Sequence, residues 1–361
     1  ISTTTDSLGR TLSYEYNDIT RSKPTLTRNA LGQTSKKSYD PKLDSEVSME
    51  DPNGNLTSYE YDEYGRKIAT YLDGNKVESI EYGFDGSIFT TKQTTHTDEG
   101  DVWTKYYKNL LGNEIKKESL VVEGIFSTVE SVYDTLGREI QKSNSYLNGE
   151  SPAWSYTFYY NQIDDTPERI KEVIAATGEI SRFTYGIHSA VVTITNQSEI
   201  IRSETQILDS WGRLTTKIVQ GENMSYQYDS ADRIVRITDP GNGITEINYD
   251  IGGRKTGYSD SNSGTIRYTY NVAGDMLTQT DARGIIIRKE VDGLGRVTKI
   301  YPGNETPIVH EYDARNSIAG NNIIGKLSKV TDNSGVTELA YDRKGNVIGE
   351  KRTIDDLQVL F

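Results

Sequence analysis

The side chains able to do chemistry are few in kind and scattered in position. Three histidines, His96, His188 and His310, stand far apart, with no H-E-x-x-H pattern and no i, i+4 relation. Surface or sheet-lining roles are expected for them rather than work as a base or metal ligand. The chain has 361 residues and no cysteine, which removes disulfides, thiolate metal sites and cysteine nucleophiles together. No G-x-S-x-G, P-loop or G-x-G-x-x-G in a strand–helix setting occurs. Asp260-Ser261-Asn262-Ser263-Gly264 looks like half a calcium loop, but its glycine falls one place early and the distal glutamate is missing, so a hairpin turn is expected there.

Carboxylates are plentiful, yet they recur at turns, so a facing pair says nothing about glycosidase chemistry. The 25 tyrosines are the remaining chemical resource. Stacked tyrosines bind sugars or polypeptide in other settings. Here their fixed register with the turns favours packing between neighbouring segments, with each hydroxyl reaching a polar partner. A register that repeats the same residues gives none of them a special place. The expectation is no enzyme, with no catalytic, cofactor or metal residues.

Charge excludes further classes of function. Lys and Arg number 40 against 53 Asp and Glu, a net charge of −13, which opposes nucleic acid and anionic membrane surfaces. No apolar run approaches the roughly 18 residues of a membrane-spanning helix, so no membrane insertion by this segment is expected. The start, ISTTTDSLGR, has neither a basic nor an apolar stretch of the signal-peptide kind. Both ends fall in mid-pattern, the mark of a piece of something longer.

That pattern is a repeat. An aromatic followed by Asp, Asn or a turn residue recurs along the chain, as at Tyr61-Asp62, Tyr133-Asp134, Tyr228-Asp229, Tyr249-Asp250, Tyr312-Asp313 and Tyr341-Asp342. From Leu208 to Tyr312 the steps are 20, 21, 21, 21 and 21 residues. A few residues on comes Gly-Arg or a relative, at Gly65-Arg66, Gly137-Arg138, Gly212-Arg213, Asp232-Arg233, Gly253-Arg254 and Gly295-Arg296. Glycine suits a tight connection that needs positive φ, and Asp or Asn bonds its own backbone. The repeated arginine is expected to bond acidic turns or to stack on the tyrosine of the next repeat.

Between turns lie stretches such as Arg233 to Thr238 and Thr245 to Tyr249, alternating apolar and polar and rich in Ile, Val, Thr and Tyr. Such alternation is a strand signal. Two short strands and two turns fill about 21 residues and leave no room for a helix. The fold class expected is all-β: tandem antiparallel hairpins side by side in one continuous curved sheet, part of a hollow shell.

The whole chain, 1–361, reads as one array, with irregular repeats over 1–50, longer-armed repeats over 82–207, regular repeats over 208–312 and an insertion over 313–325. A long loop is expected over 161–167. The segment Thr166 to Ala176 has the Thr cap and Pro start of a short helix, but strand is expected for Ile170 to Ile174.

Quoted directly, Tyr59-Glu60-Tyr61-Asp62-Glu63-Tyr64-Gly65-Arg66 and Tyr226-Gln227-Tyr228-Asp229-Ser230-Ala231-Asp232-Arg233 resemble the Y-x-Y-D-x-x-G-R unit of the YD-repeat, or Rhs-repeat, family. The resemblance covers essentially the whole chain. The stretch from Leu294-Gly295-Arg296 through Tyr301-Pro302, the insertion, and Tyr341-Asp342-Arg343-Lys344-Gly345-Asn346 is similar to the Rhs part of the B component of bacterial Tc toxins and its SpvB-like relatives. This resemblance implies a non-catalytic wall segment of a secreted or cell-surface bacterial shell that encloses a toxic C-terminal polypeptide. The implied partners are other repeats of the same shell, the enclosed polypeptide and a pore-forming toxin component. The D-P-x-G-L self-cleavage core that often ends such shells has no match, since Asp51-Pro52-Asn53-Gly54-Asn55 lacks the leucine and sits at an internal turn. The other reading is a cell-surface binding module whose tyrosines and aspartates contact glycans or a protein receptor.

Overall fold

A computed structural model describes residues 2–16, 22–160, 168–196, 199–318, 322–354 and 357–360. The class is all-β. Among the described residues there are 33 strands and no helix, and every pairing between them is antiparallel. Strand Ile170–Ile174 forms where expected, paired to Trp154–Tyr159 on one side and Ile180–Tyr185 on the other. The expected loop over 161–167 lies outside the described residues.

Two compact units divide the chain. One combines Ile1–Asn75 with Glu246–Phe361, and the other is Lys76–Thr245. Within each, successive strands pair with their sequence neighbours, so the chain zigzags through one hairpin after another. Arm length differs along it. Strands reach 11 residues in Asn75–Asp85 and 10 in Ile88–Thr97, whereas Ile234–Thr238 and Met276–Thr280 have five.

At most tyrosine-ending strands the register shifts by one. Glu60 faces Ala69, but Tyr61 faces Lys67; Glu311 faces Lys329, but Tyr312 faces Leu327. The same slip recurs at Tyr39, Tyr133, Tyr228, Tyr270 and Tyr341. Each is a β-bulge, which leaves one residue unpaired and adds local twist. Regular bulges thus write twist into the array once per repeat.

Little apolar material is buried, as 34% hydrophobic composition requires. Among the described residues the buried hydrophobic side chains are Ala69, Ile323, Ala340 and Tyr341, whereas the buried polar ones include Thr90, Thr94, Glu118, Thr128, Thr195 and Glu204. Hydrogen bonding and ring stacking must therefore carry much of what a core normally does. Glu118 illustrates the compensation: it accepts from the Tyr107 hydroxyl at 2.6 Å and pairs with Lys116 at 2.6 Å.

Candidate functional site

The unit that repeats is the turn, and its geometry follows from one aspartate. At 62–66 the Asp62 amide donates to the Arg66 carbonyl at 2.9 Å, and the Gly65 amide donates to the Asp62 carbonyl at 3.0 Å. Gly65 has φ 77°, the left-handed conformation that a three-residue hairpin with a bulge demands. The Asp62 side chain then fills the turn: Oδ1 accepts from the Tyr64 and Arg66 amides at 3.0 and 2.9 Å, and Oδ2 accepts from Arg66 Nε at 2.7 Å.

The same three bonds recur at Asp134 with Arg138, at Asp229 with Arg233 and at Asp292 with Arg296. Asp250 likewise accepts from the Arg254 amide and Nε at 2.9 and 2.6 Å. Where glycine is replaced, Asp232 takes φ 60°, which Asp tolerates better than most residues. At 342–346 Asn346 stands in for arginine and donates to both Asp342 carboxylate oxygens.

These bonds stabilise the charged carboxylates. The Arg138 amide and guanidinium hold Asp134 below the usual carboxylate range against the opposing effect of burial. Burial pushes Asp292 upward, and its bonds to Arg296 and to the Leu294 amide more than offset that.

The tyrosine before each aspartate reaches back to the preceding hairpin. Its hydroxyl donates to a backbone carbonyl there: Tyr61 to Glu46 at 2.7 Å, Tyr133 to Glu114 at 3.0 Å, Tyr228 to Leu214 at 2.8 Å, Tyr312 to Val297 at 3.0 Å and Tyr341 to Leu327 at 2.9 Å. The arginine reaches forward onto the next tyrosine. Arg138 lies 4.5 Å from the Tyr159 ring centre, Arg254 5.1 Å from Tyr270 and Arg296 4.4 Å from Tyr312. Arg296 also clasps Asp313 with bonds of 3.0 and 2.7 Å. Where the tyrosine and arginine are both present, a turn is thus tied to the repeat before it by a hydroxyl and to the one after it by a guanidinium.

A second set of contacts was invisible to the repeat. Within the unit formed by 1–75 and 246–361, turns of the early repeats meet turns of the late ones. Arg10 bonds Asp275 at 3.0 Å across 265 residues of chain. Asn53 donates to the Ile324 carbonyl at 3.1 Å and accepts from its amide at 2.8 Å, across 271 residues. Gln33 reaches Asp313, and Asp73 pairs with Arg343 at 2.8 Å. A Cβ at Gly293 would lie 3.3 Å from Leu31 Cδ2, so the seam is tightly filled there. Early turns at 6–10, 29–33, 51–55 and 73–74 fall on alternate hairpin ends, hence on one edge of the strip. Their partners at 271–275, 292–296, 313–326 and 342–346 fall on the opposite edge.

The three histidines are not brought together. His188 lies at a turn and His310 Nδ1 lies 3.1 Å from the Val297 carbonyl. His96 has polar partners on both ring nitrogens, Ser79 and Asp101, which its sequence surroundings do not signal. Asp260 caps its own turn, accepting from Asn262, Ser263 and the Ser263 hydroxyl.

No family model matches the chain, and no curated protein matches it. Solved structures do. It is similar to a crystal structure of TcdB2-TccC3, with a TM-score of 0.78 and 15% identity over 95% of this chain. The same complex without its hypervariable C-terminal region gives 0.78 at 14% identity over 99% of this chain. A mutant Tc holotoxin pore of Photorhabdus luminescens gives 0.77 at 13% identity over 95%. The chain spans about a quarter of those structures' length, 22% to 24%. With near-complete coverage of this chain at these identities, what is shared is the fold: this chain is built like part of a TcdB2-TccC3 Tc toxin chain.

Proposed function

We propose that this chain is a wall segment of a secreted bacterial toxin shell, which works by containment of a toxic polypeptide encoded C-terminal to it. The observation that carries the reading is the seam from Arg10–Asp275 to Asp73–Arg343. A strip of hairpins whose turns on one rim bond to turns on the other across 265 to 271 residues of chain holds early and late repeats together. Tying turns to their neighbours by Tyr and Arg resists local opening.

The Tyr, Asp, Gly and Arg of the repeat are structural in this reading, and containment itself asks no chemistry of the wall. By likeness to TcdB2-TccC3 and to a Tc holotoxin pore, its partners are the remaining shell repeats and a pore-forming component, and its place is outside the producing cell.

Limited proteolysis of the protein carrying this chain together with its downstream polypeptide tests the reading. The downstream part is expected to survive protease while the shell is intact and to become sensitive in the seam variant Asp73→Arg with Arg343→Leu. Digestion of the downstream part at the rate of the free polypeptide overturns it. The rival surface module rests on the exposed rings of Tyr64 and Trp211 at turn tips. Saturable glycan binding lost in Trp211→Ala would favour that rival.

A further inference from the structure

Ser79, His96 and Asp101 form a hydrogen-bonded relay on one sheet face of the unit Lys76–Thr245. Ser79 Oγ lies 2.9 Å from His96 Nε2, and His96 Nδ1 lies 2.8 Å from Asp101 Oδ1. The carboxylate only accepts, so Nδ1 carries the ring proton and donates to it. Nε2 of the neutral ring is then the acceptor, and the serine hydroxyl donates to it. Strand register explains the placing. Asp101 faces His96 directly, and Ser79 faces Thr94, two residues from His96 on the same side of its strand. Both outer residues thereby sit on paired strands rather than on loops, Ser79 opposite Thr94 and Asp101 opposite His96.

A cleft of about 570 Å³ reaches the Asp101 end of the relay between the ends of two hairpins, with Val102, Trp103, Leu120 and Val122 on its walls and the acids Glu99 and Glu123 beside them. Trp103 faces Thr94, which places its ring on the side that carries Ser79 and His96, and it packs against Phe126 at 6.1 Å. His96 is about a quarter exposed, so a small molecule can reach the relay.

We propose that Ser79 is a nucleophile toward carboxylic esters. The Ser79 hydroxyl proton passes to His96 Nε2 as Oγ bonds to the acyl carbon. The ester C–O bond then breaks, and the alkoxide leaves with that proton from Nε2. Water, activated by the same nitrogen, releases the acid and restores the serine. Asp101 is a positioning residue that holds the ring tautomer. Oxyanion donors contribute about 10²- to 10³-fold in such chemistry, and Ser79, His96 and Asp101 supply only the nucleophile, base and orienting group. Covalent labelling rather than rapid turnover is therefore the direct readout.

The test treats the purified chain with an alkyl fluorophosphonate and maps the adduct by peptide mass. Expected is modification at Ser79, absent in Ser79→Ala and slowed at least about hundredfold in His96→Gln. Asp101→Asn should slow it while leaving the β-type circular dichroism of the fold unchanged, and the pH dependence of labelling should disappear in His96→Gln. No adduct at Ser79 in the folded wild type overturns the proposal, as does labelling unaffected by His96→Gln.

Discussion

Arg10 Nη1 lies 3.0 Å from Asp275 Oδ2, although 265 residues separate them. Arg10 also bonds Asp6 inside its own turn, so one guanidinium serves the turn and the seam together. Charge reversal separates the two roles. Asp275→Arg should lower the melting temperature of the chain and raise protease sensitivity, and adding Arg10→Asp should restore part of the loss. No recovery in the double variant would show that the pair does not couple the two edges.

Arg296 serves two turns and a ring together. It bonds its own Asp292, clasps Asp313 and lies 4.4 Å from the Tyr312 ring centre. Lysine keeps the charge but loses the planar fork. Arg296→Lys should cost about 2 kcal/mol in urea denaturation, far more than a surface Arg-to-Lys change.

Removing one hydroxyl tests the backward tie. Tyr341→Phe deletes the bond to the Leu327 carbonyl at a buried ring. It should cost about 1 kcal/mol. Tyr64→Phe at an exposed tip should stay within about 0.5 kcal/mol. Equal effects would mean that the repeat tyrosines contribute through ring packing alone.

Two glycines should differ for a steric reason. Gly65 needs positive φ but has open space around it apart from Leu43 Cδ2 at 3.8 Å, so Gly65→Ala should cost about 1 kcal/mol of strain. At Gly335, φ 131°, a Cβ would collide with the Thr353 carbonyl of the paired strand. Gly335→Ala should cost about 3 kcal/mol or more, read as a loss of midpoint in the same denaturation series.

Stability should fall at both ends of the pH scale, for opposite reasons. Asp134, Asp229, Asp292 and Asp313 are held below the ordinary carboxylate value, so their contribution is full above about pH 4 and disappears as pH falls through the lower native values. Burial raises Tyr61, Tyr159, Tyr312 and Tyr341, so their contribution is full below about pH 10 and disappears as pH rises through the higher native values. Melting curves from pH 2.5 to 11.5 should give a plateau between those limits, and Asp134→Asn with Asp313→Asn should flatten the acid limb.

Much of this architecture was legible in the sequence because hairpin turns are local. Asp62, Gly65 and Arg66 lie within five residues, and the backbone geometry that they impose repeats wherever the triplet does. Alternation of the Ile234–Thr238 kind needs only neighbours to be read, and so did the strand at Ile170–Ile174. Arginine stacking on the next tyrosine was accessible too, since the next repeat always stands beside the last.

Tertiary structure alone decided the rest. The one-residue slip at Tyr61 and Tyr312 depends on how two strands close on each other, not on either strand's pattern. The pairing of Arg10 with Asp275 depends on twist summed over many bulged hairpins, and no short window of residues contains that sum. Ser79, His96 and Asp101 belong to three strands whose register places them on one face. Their spacing of 17 and 5 residues follows from hairpin arm length and so has no motif to display.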